Sequence, residues 1–200
     1  ADRNDMTKDK YVAVMGGGMG NTNLCAGSAV FIVDLENTTH PGSIYGATIN
    51  GGPITIVDTD PAGINIEGGD NLETPNGSDI GNALPASAVV ITPDTAFGIP
   101  WRGGMVYFND LEGKITKINL TSSTKNGAEL FDQTTLFRLN ANTTNHRYSY
   151  FTMDAGIGLT TNNFWLFGGT GNFTDIGGDG RFMDNILYGV KDVHYPFFKH

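Results

Sequence analysis

The sequence predicts an all-β chain, and three observations carry that prediction. Glycine supplies 28 of 200 residues and charged residues only 16%, against usual shares of about 7% and about 25%. Apolar, β-branched and aromatic runs of strand length recur along the chain, bounded by Gly, Asn, Asp or Pro. A strand–turn–strand pattern then appears in three places. With a hydrophobic fraction of 39%, the chain has material for a core and is not a disordered polyelectrolyte.

The strand-length runs come in order. They are Tyr11 to Met15, Ser28 to Asp34, Ile54 to Val57, Ser87 to Ile91 and Met105 to Phe108. Then follow Lys114 to Leu120, Thr134 to Leu139, Tyr148 to Met153, Phe164 to Phe167 and Ile186 to Val190. In Lys114 to Leu120 the apolar residues Ile115 and Ile118 break strict alternation, which predicts a twist or bulge. No long stretch carries a sustained helical stripe with caps. A short helix is expected only near Gly127 to Gln133. The stretch Asp58 to Pro85 is dominated by acidic residues, Gly, Asn and Pro, and reads as one long loop.

The repeated unit organises these runs. YVAVMGGGMGN precedes SAVFIVDLEN, GMVYFNDLEGK precedes ITKINLTS, and FWLFGGTGNFTD precedes DNILYGVKDV. The middle copy has the tightest turn, Asp110-Leu111-Glu112-Gly113. Each copy reads as an antiparallel hairpin with a face too apolar to stand alone in water. Radial repetition of such hairpins buries those faces and leaves short edges, which is the β-propeller solution. A blade takes about 40 residues, so residues 1–200 are expected to form a single segment of three to four blades. A closed ring of about six to eight blades needs a longer chain, so a piece of something longer is expected.

Charge and motifs exclude several functions. The formal net charge is −9, so the basic footprint of a nucleic-acid binder is missing. No apolar run reaches the roughly 20 residues of a membrane-spanning helix. Cys25 is the only cysteine, which excludes a disulfide within this chain. The run Gly16-Gly17-Gly18-Met19-Gly20-Asn21 follows a strand. It lacks the third glycine and the following helix of a dinucleotide loop, so a turn is the expected role. His40, His146, His194 and His200 do not have metal-ligand spacing. Neither a nucleophile elbow nor a zincin motif is present.

The residues Gly104 to Leu120, GMVYFNDLEGKITKINL, resemble the blade signature of quinoprotein-like propellers, a strand, a D-x-x-G turn and a second strand. Taken in order with YVAVMGGGMGN and with FWLFGGTGNFTD–DNILYGVKD, they resemble the C-terminal propeller of the PilY/PilC family of type IV pilus tip-associated proteins. The resemblance covers most of the chain, although no single motif is specific. It implies a non-enzymatic scaffold at the bacterial cell surface or pilus tip, supporting pilus assembly and adhesion. Its expected partners are minor pilins or other pilus components, a surface, or a host receptor.

The resemblance also implies an acidic calcium loop just before the D-x-x-G strand. At that place Thr92 to Arg102 keeps only Asp94, so the usual site is expected to be lost. Two other acidic stretches offer oxygen ligands of the kind calcium takes. Asp58 and Asp60, with Gly63, match the first, third and sixth positions of an EF-hand loop, but Ala62 and Gly69 miss two others. Asp175 and Asp179 lie in a Gly-rich loop with Asp184 beyond. A solvated acidic turn is the favoured reading of both stretches. Phe97, Trp101, Tyr195, Phe197 and Phe198 are candidate partner anchors, or else packing residues under loops.

Two other classes compete with the scaffold. A quinone-dependent dehydrogenase would use similar blades, but only Trp101 and Trp165 are present where a periodic Trp motif is needed. A structural surface or filament protein would suit Gly-rich, charge-poor β repeats.

Overall fold

In the computed structural model the described residues form eleven strands in three antiparallel sheets. The structure describes residues 6–19, 27–45, 54–55, 82–92, 103–122, 129–139, 141, 145–172 and 184–198. The first sheet contains β1 (Val12–Gly16), β2 (Ala29–Asp34) and β3 (Ile44–Tyr45), with β4 (Ile54–Thr55) also pairing β2. The middle sheet is a four-stranded meander of β5 (Val89–Ile91), β6 (Met105–Asn109), β7 (Lys114–Asn119) and β8 (Gln133–Arg138). The third is a meander of β9 (Asp154–Ile157), β10 (Phe164–Gly169) and β11 (Leu187–Asp192). Apart from a 3-10 turn at Met6–Lys8, no helix occurs among the described residues. The described part of the chain is therefore all-β, in antiparallel sheets.

Each repeated hairpin of the sequence is a real strand pair. Val12 lies opposite Asp34, Asn109 opposite Ile115, and Phe164 opposite Asp192. The middle hairpin turns through Leu111-Glu112-Gly113, with Gly113 N–H donating to Asp110 O at 2.9 Å and Asp110 N–H to Lys114 O at 3.0 Å. Gly113 has φ +75°, a left-handed conformation that glycine adopts without steric cost. The D-x-x-G pattern is thus a requirement of this three-residue turn.

The middle sheet is covered on both faces. From β6, Val106 and Phe108 point one way, with Ile118 from β7, and meet Val30, Ile32, Ile54 and Leu84. Met105 and Tyr107, with Ile115, point the other way and meet Met153, Phe164, Leu166 and Val190. Successive side chains of a strand face opposite sides, so a strand buried on both faces needs apolar residues at odd and even positions. That explains the broken alternation at Ile115 and Ile118. The bulge is also present: β8 slips relative to β7 between Ile115 and Thr116, whose partners are Phe137 and Thr135. Leu136 is the extra residue, and it packs into the core shared with the third sheet.

Two expectations need correction. Tyr148 to Met153 is not a strand; it runs as irregular chain with one bridge, Ser149 to Gly171, and the strand begins at Asp154. Its backbone is occupied elsewhere, Ser149 N–H donating to the Leu111 carbonyl at 3.0 Å. The helix expected at Gly127 to Gln133 is, over its described part, a turn leading into β8. There Phe131 takes φ +71° and its N–H donates to Asn119 O at 2.8 Å. Of the loop expected from Asp58 to Pro85, residues 58–81 lie outside the described residues. Asn82, Ala83 and Leu84 are buried, and Leu84 joins the core between the first and middle sheets.

Candidate functional site

Two kinds of feature stand out: buried polar clusters at the sheet junctions, and apolar faces at the two ends of the stack. The first cluster fixes the C-terminal turn. Lys117 sits opposite Tyr107 on the middle sheet. Its Nζ donates to Asp192 Oδ2 and to the Phe197 carbonyl, each at 2.6 Å. The Tyr107 hydroxyl donates to the same Asp192 oxygen at 2.8 Å. The ammonium also lies 5.9 Å from the Tyr107 ring centre and 5.8 Å from that of Phe198, within cation–π range. Lys117 and Asp192 are both essentially sealed from solvent.

Burial sets the acid–base character of this cluster. Loss of hydration lowers the Lys117 pKa, and the Asp192 carboxylate opposes that shift. Tyr107 is pushed far up by burial, then by the charge and hydrogen bond of Asp192. Tyr195, stacked on Phe164 at 4.8 Å, is raised by burial and by Asp192. The arrangement is an ionic clamp: the lysine's hydrogen bonds join β7, the end of β11 and the chain at Phe197.

A second cluster grips the middle turn. Asp110 Oδ1 accepts the Lys114 N–H at 2.8 Å, and Oδ2 accepts Asn82 Nδ2 at 3.1 Å. Lys114 Nζ lies 3.4 Å from Oδ2. Burial raises the Asp110 pKa to about 6, against the opposing pull of Lys114 and the hydrogen bonds. Asn109 Nδ2 reaches Ser149 Oγ at 2.8 Å and Phe151 O at 3.0 Å, while Leu111 N–H donates to Ala83 O at 2.9 Å. A hairpin turn that normally lies in water is thus held inside by the chain at 82–84 and 149–151.

The end faces are the second feature. The outer face of the first sheet presents Ala13, Met15, Ala29, Phe31, Val33 and Ile44, which alternate with the core residues Val30 and Ile32. Every one is apolar, and Met15 is 51% exposed. The outer face of the third sheet presents Trp165 and Phe167, stacked at 6.3 Å, with Leu187 beside them. They are 37%, 50% and 92% exposed. Phe167 lies opposite Gly189, and a Cβ on that glycine would press to 3.2 Å from the ring. Asp154 and Lys191 are this face's charged members. An antiparallel sheet facing water on one side usually carries polar residues there.

The sequence-predicted metal residues Asp58, Asp60, Asp175 and Asp179 lie outside the described residues, as do Asp94, Phe97, Trp101 and Cys25. Among the described residues, no group of three or more His, Cys, Asp or Glu is placed to hold a metal. Asp184, the outlying member of the second acidic stretch, pairs with Arg147 at the surface. Tyr195, Phe197 and Phe198 pack around the Lys117 clamp. In the glycine run, Gly18 bridges to Leu84, and a Cβ on Gly17 would strike the Gly27 backbone at 2.6 Å. Gly17 thus serves the close approach of two chain segments, while Gly18, with φ +81° and open space where a Cβ would stand, serves a left-handed backbone.

Sequence reasoning missed the Lys117 and Asp110 clusters and the end faces. Signals existed for both: two lysines in a strand whose Ile115 and Ile118 fall on opposite faces, and the unbroken apolar run FWLF, which puts large side chains on both sides of β10. No helix among the described residues is long and apolar enough to cross a membrane. The chain matches no protein-family model, no curated protein and no solved structure.

Proposed function

We propose that this chain is the propeller-type scaffold of a type IV pilus tip-associated protein, supporting pilus assembly and surface adhesion by binding other proteins. The observation that carries the reading is the succession of three antiparallel sheets in chain order, the middle one sandwiched between the others. Face-to-face packing of consecutive antiparallel sheets is what blades of a propeller do. In this reading the sheets are three blades of the ring, and the apolar end faces are blade-to-blade contacts. The resemblance of the ordered motifs to the PilY/PilC family supplies the pilus assignment. In the same reading the protein lies outside the bacterial cell, with minor pilins or other pilus components, surfaces or a host receptor as partners.

The buried clusters support a scaffold role. Lys117 and Asp110 use their hydrogen bonds to lock chain segments together, which gives a rigid frame for loops that bind. Deleting the encoding gene tests the proposal: fewer pili by electron microscopy and weaker surface adhesion are expected, and normal piliation with normal adhesion would refute it.

Calcium at the acidic loops belongs to the same proposal. Titrating chelator-stripped protein with calcium is expected to give heat and a higher melting temperature. The response should be lost in Asp58→Ala/Asp60→Ala or in Asp175→Ala/Asp179→Ala, whichever loop holds the ion. No response would make both loops solvated turns and leave the scaffold to act through protein contacts alone.

A further inference from the structure

Lys117 of β7 and Asp192 of β11 meet at 2.6 Å between Nζ and Oδ2, and both side chains are sealed from solvent. Aromatic rings wall the site. Those of Tyr107 and Phe198 lie 5.9 and 5.8 Å from the ammonium, and Tyr107 packs on Phe164, which stacks on Tyr195. We propose that Lys117 and Asp192 condense into an intramolecular amide, Lys117 Nζ bonded to the Asp192 carboxyl carbon, with release of one water. The inference stands on this cluster alone and does not depend on the propeller or pilus reading.

The reaction needs a neutral amine, a carboxyl whose oxygens are held by donors, and exclusion of bulk water. Burial lowers the Lys117 pKa, with Asp192 opposing, and a desolvated lysine amine is a nucleophile. The Tyr107 hydroxyl donates to Oδ2 at 2.8 Å, and burial and Asp192 keep that hydroxyl protonated. Oδ1 accepts the His194 backbone N–H at 3.0 Å. The carboxyl carbon is one bond from the oxygen that Nζ already touches, and well-oriented intramolecular partners react as if at about 10⁵–10⁸ M.

The step balances within the pair. A proton passes from Nζ to Oδ2, leaving an amine and a carboxylic acid. The nitrogen lone pair attacks the carboxyl carbon, and negative charge builds on Oδ1, where the His194 N–H donates. A second nitrogen proton passes to Oδ2, the bond from carbon to Oδ2 breaks with its electron pair, and Oδ2 leaves as water. The remaining N–H goes on donating to the Phe197 carbonyl, which Nζ contacts at 2.6 Å. The drive is electrostatic: two charges stripped of water are costly, and a neutral amide replaces both. Exclusion of water then opposes hydrolysis. The product ties the middle sheet to the third by a covalent bond across 75 positions of sequence.

Intact-mass spectrometry of the whole purified chain tests this. The chain is expected to be lighter than its sequence by one water. Trypsin should release a branched peptide in which residues 115–125 are joined through Lys117 to residues 192–199. Lys117→Arg, which keeps the charge without the amine, and Asp192→Ala should each have the full mass. Both should migrate differently from the parent in denaturing electrophoresis, because the parent's link holds a loop closed. Tyr107→Phe keeps both partners and removes one donor from Oδ2, so its full-mass form should disappear more slowly than the parent's. A parent chain folded by circular dichroism yet retaining the full mass after prolonged incubation would overturn the inference, whatever the variants do. So would a missing water mapped elsewhere, as at Asp179-Gly180, where closure of an aspartyl side chain on the next backbone nitrogen also expels water.

Discussion

Lys117 is the residue whose loss should cost most. It is buried with Asp192 and Tyr107 and bonds the Phe197 carbonyl. Lys117→Met would keep much of the volume but strand the Asp192 carboxylate in the core. Removing one partner of a buried pair costs about 3–5 kcal/mol, so denaturant unfolding should show a loss of that size. Adding Asp192→Asn to Lys117→Met should recover part of it. A loss under about 1 kcal/mol would mean that the pair behaves as a surface contact. Asp110 makes a prediction of a different sign. Burial raises its folded pKa to about 6 from an ordinary 3.8, so between those values the folded state holds more protons than the unfolded one. Its contribution to stability therefore falls as pH rises from about 4 to 6 and stays low above that. Acidifying from pH 7 toward 5 should stabilise the protein through this group. Asp110→Asn, which keeps a side chain able to accept the Lys114 N–H, should flatten that slope, as urea titrations at several pH values would show.

At the scale of elements, the middle hairpin depends on Gly113. Its φ of +75° and the approach of Leu139, 2.6 Å from where a Cβ would stand, make Gly113→Ala doubly unfavourable. Holding a non-glycine residue in that conformation alone costs about 1–3 kcal/mol, so a loss at or above the upper end is expected in thermal and denaturant melts. This turn was legible in the sequence, because D-x-x-G between two apolar runs has one simple solution. So were the three hairpins, from the repeated strand–turn–strand pattern; the broken alternation of β7, by contrast, reflects burial on both faces, and the bulge's extra residue is Leu136 in β8. The run at Tyr148 to Met153 misled for a physical reason. Tyr148 and Met153 are buried at 8% and 3% exposure, yet they reach the core from an irregular segment whose hydrogen bonds serve the middle turn. Apolar content records burial, and it does not record which backbone partner a segment finds. Strand β3, only two residues long at Ile44–Tyr45, is too short to leave a pattern at all. The buried clamps were invisible as pairings, since Lys117 and Asp192 meet across 75 positions of sequence.

At the scale of the whole molecule, the fold is a layered stack in which cover decreases outward. Every residue of β6 and β7 is buried. The outer sheets keep one face against the middle sheet and present apolar side chains on the other. That gradient should appear in local stability, because amides at the centre of a stack open only in the global unfolding reaction, while edges and uncovered faces open in smaller events. The scaffold account depends on it: a rigid centre held by two sheets, with its binding chemistry displayed at the ends and in the loops. Native-state hydrogen exchange of the intact chain, read by mass spectrometry, tests this most directly. The amides of Met105–Asn119 should be the last to exchange, at the free energy of global unfolding, with β1, β9 and β11 exchanging earlier. Exchange of Met105–Asn119 as fast as that of the outer strands would contradict a middle sheet packed on both faces, and with it the stacked-blade account.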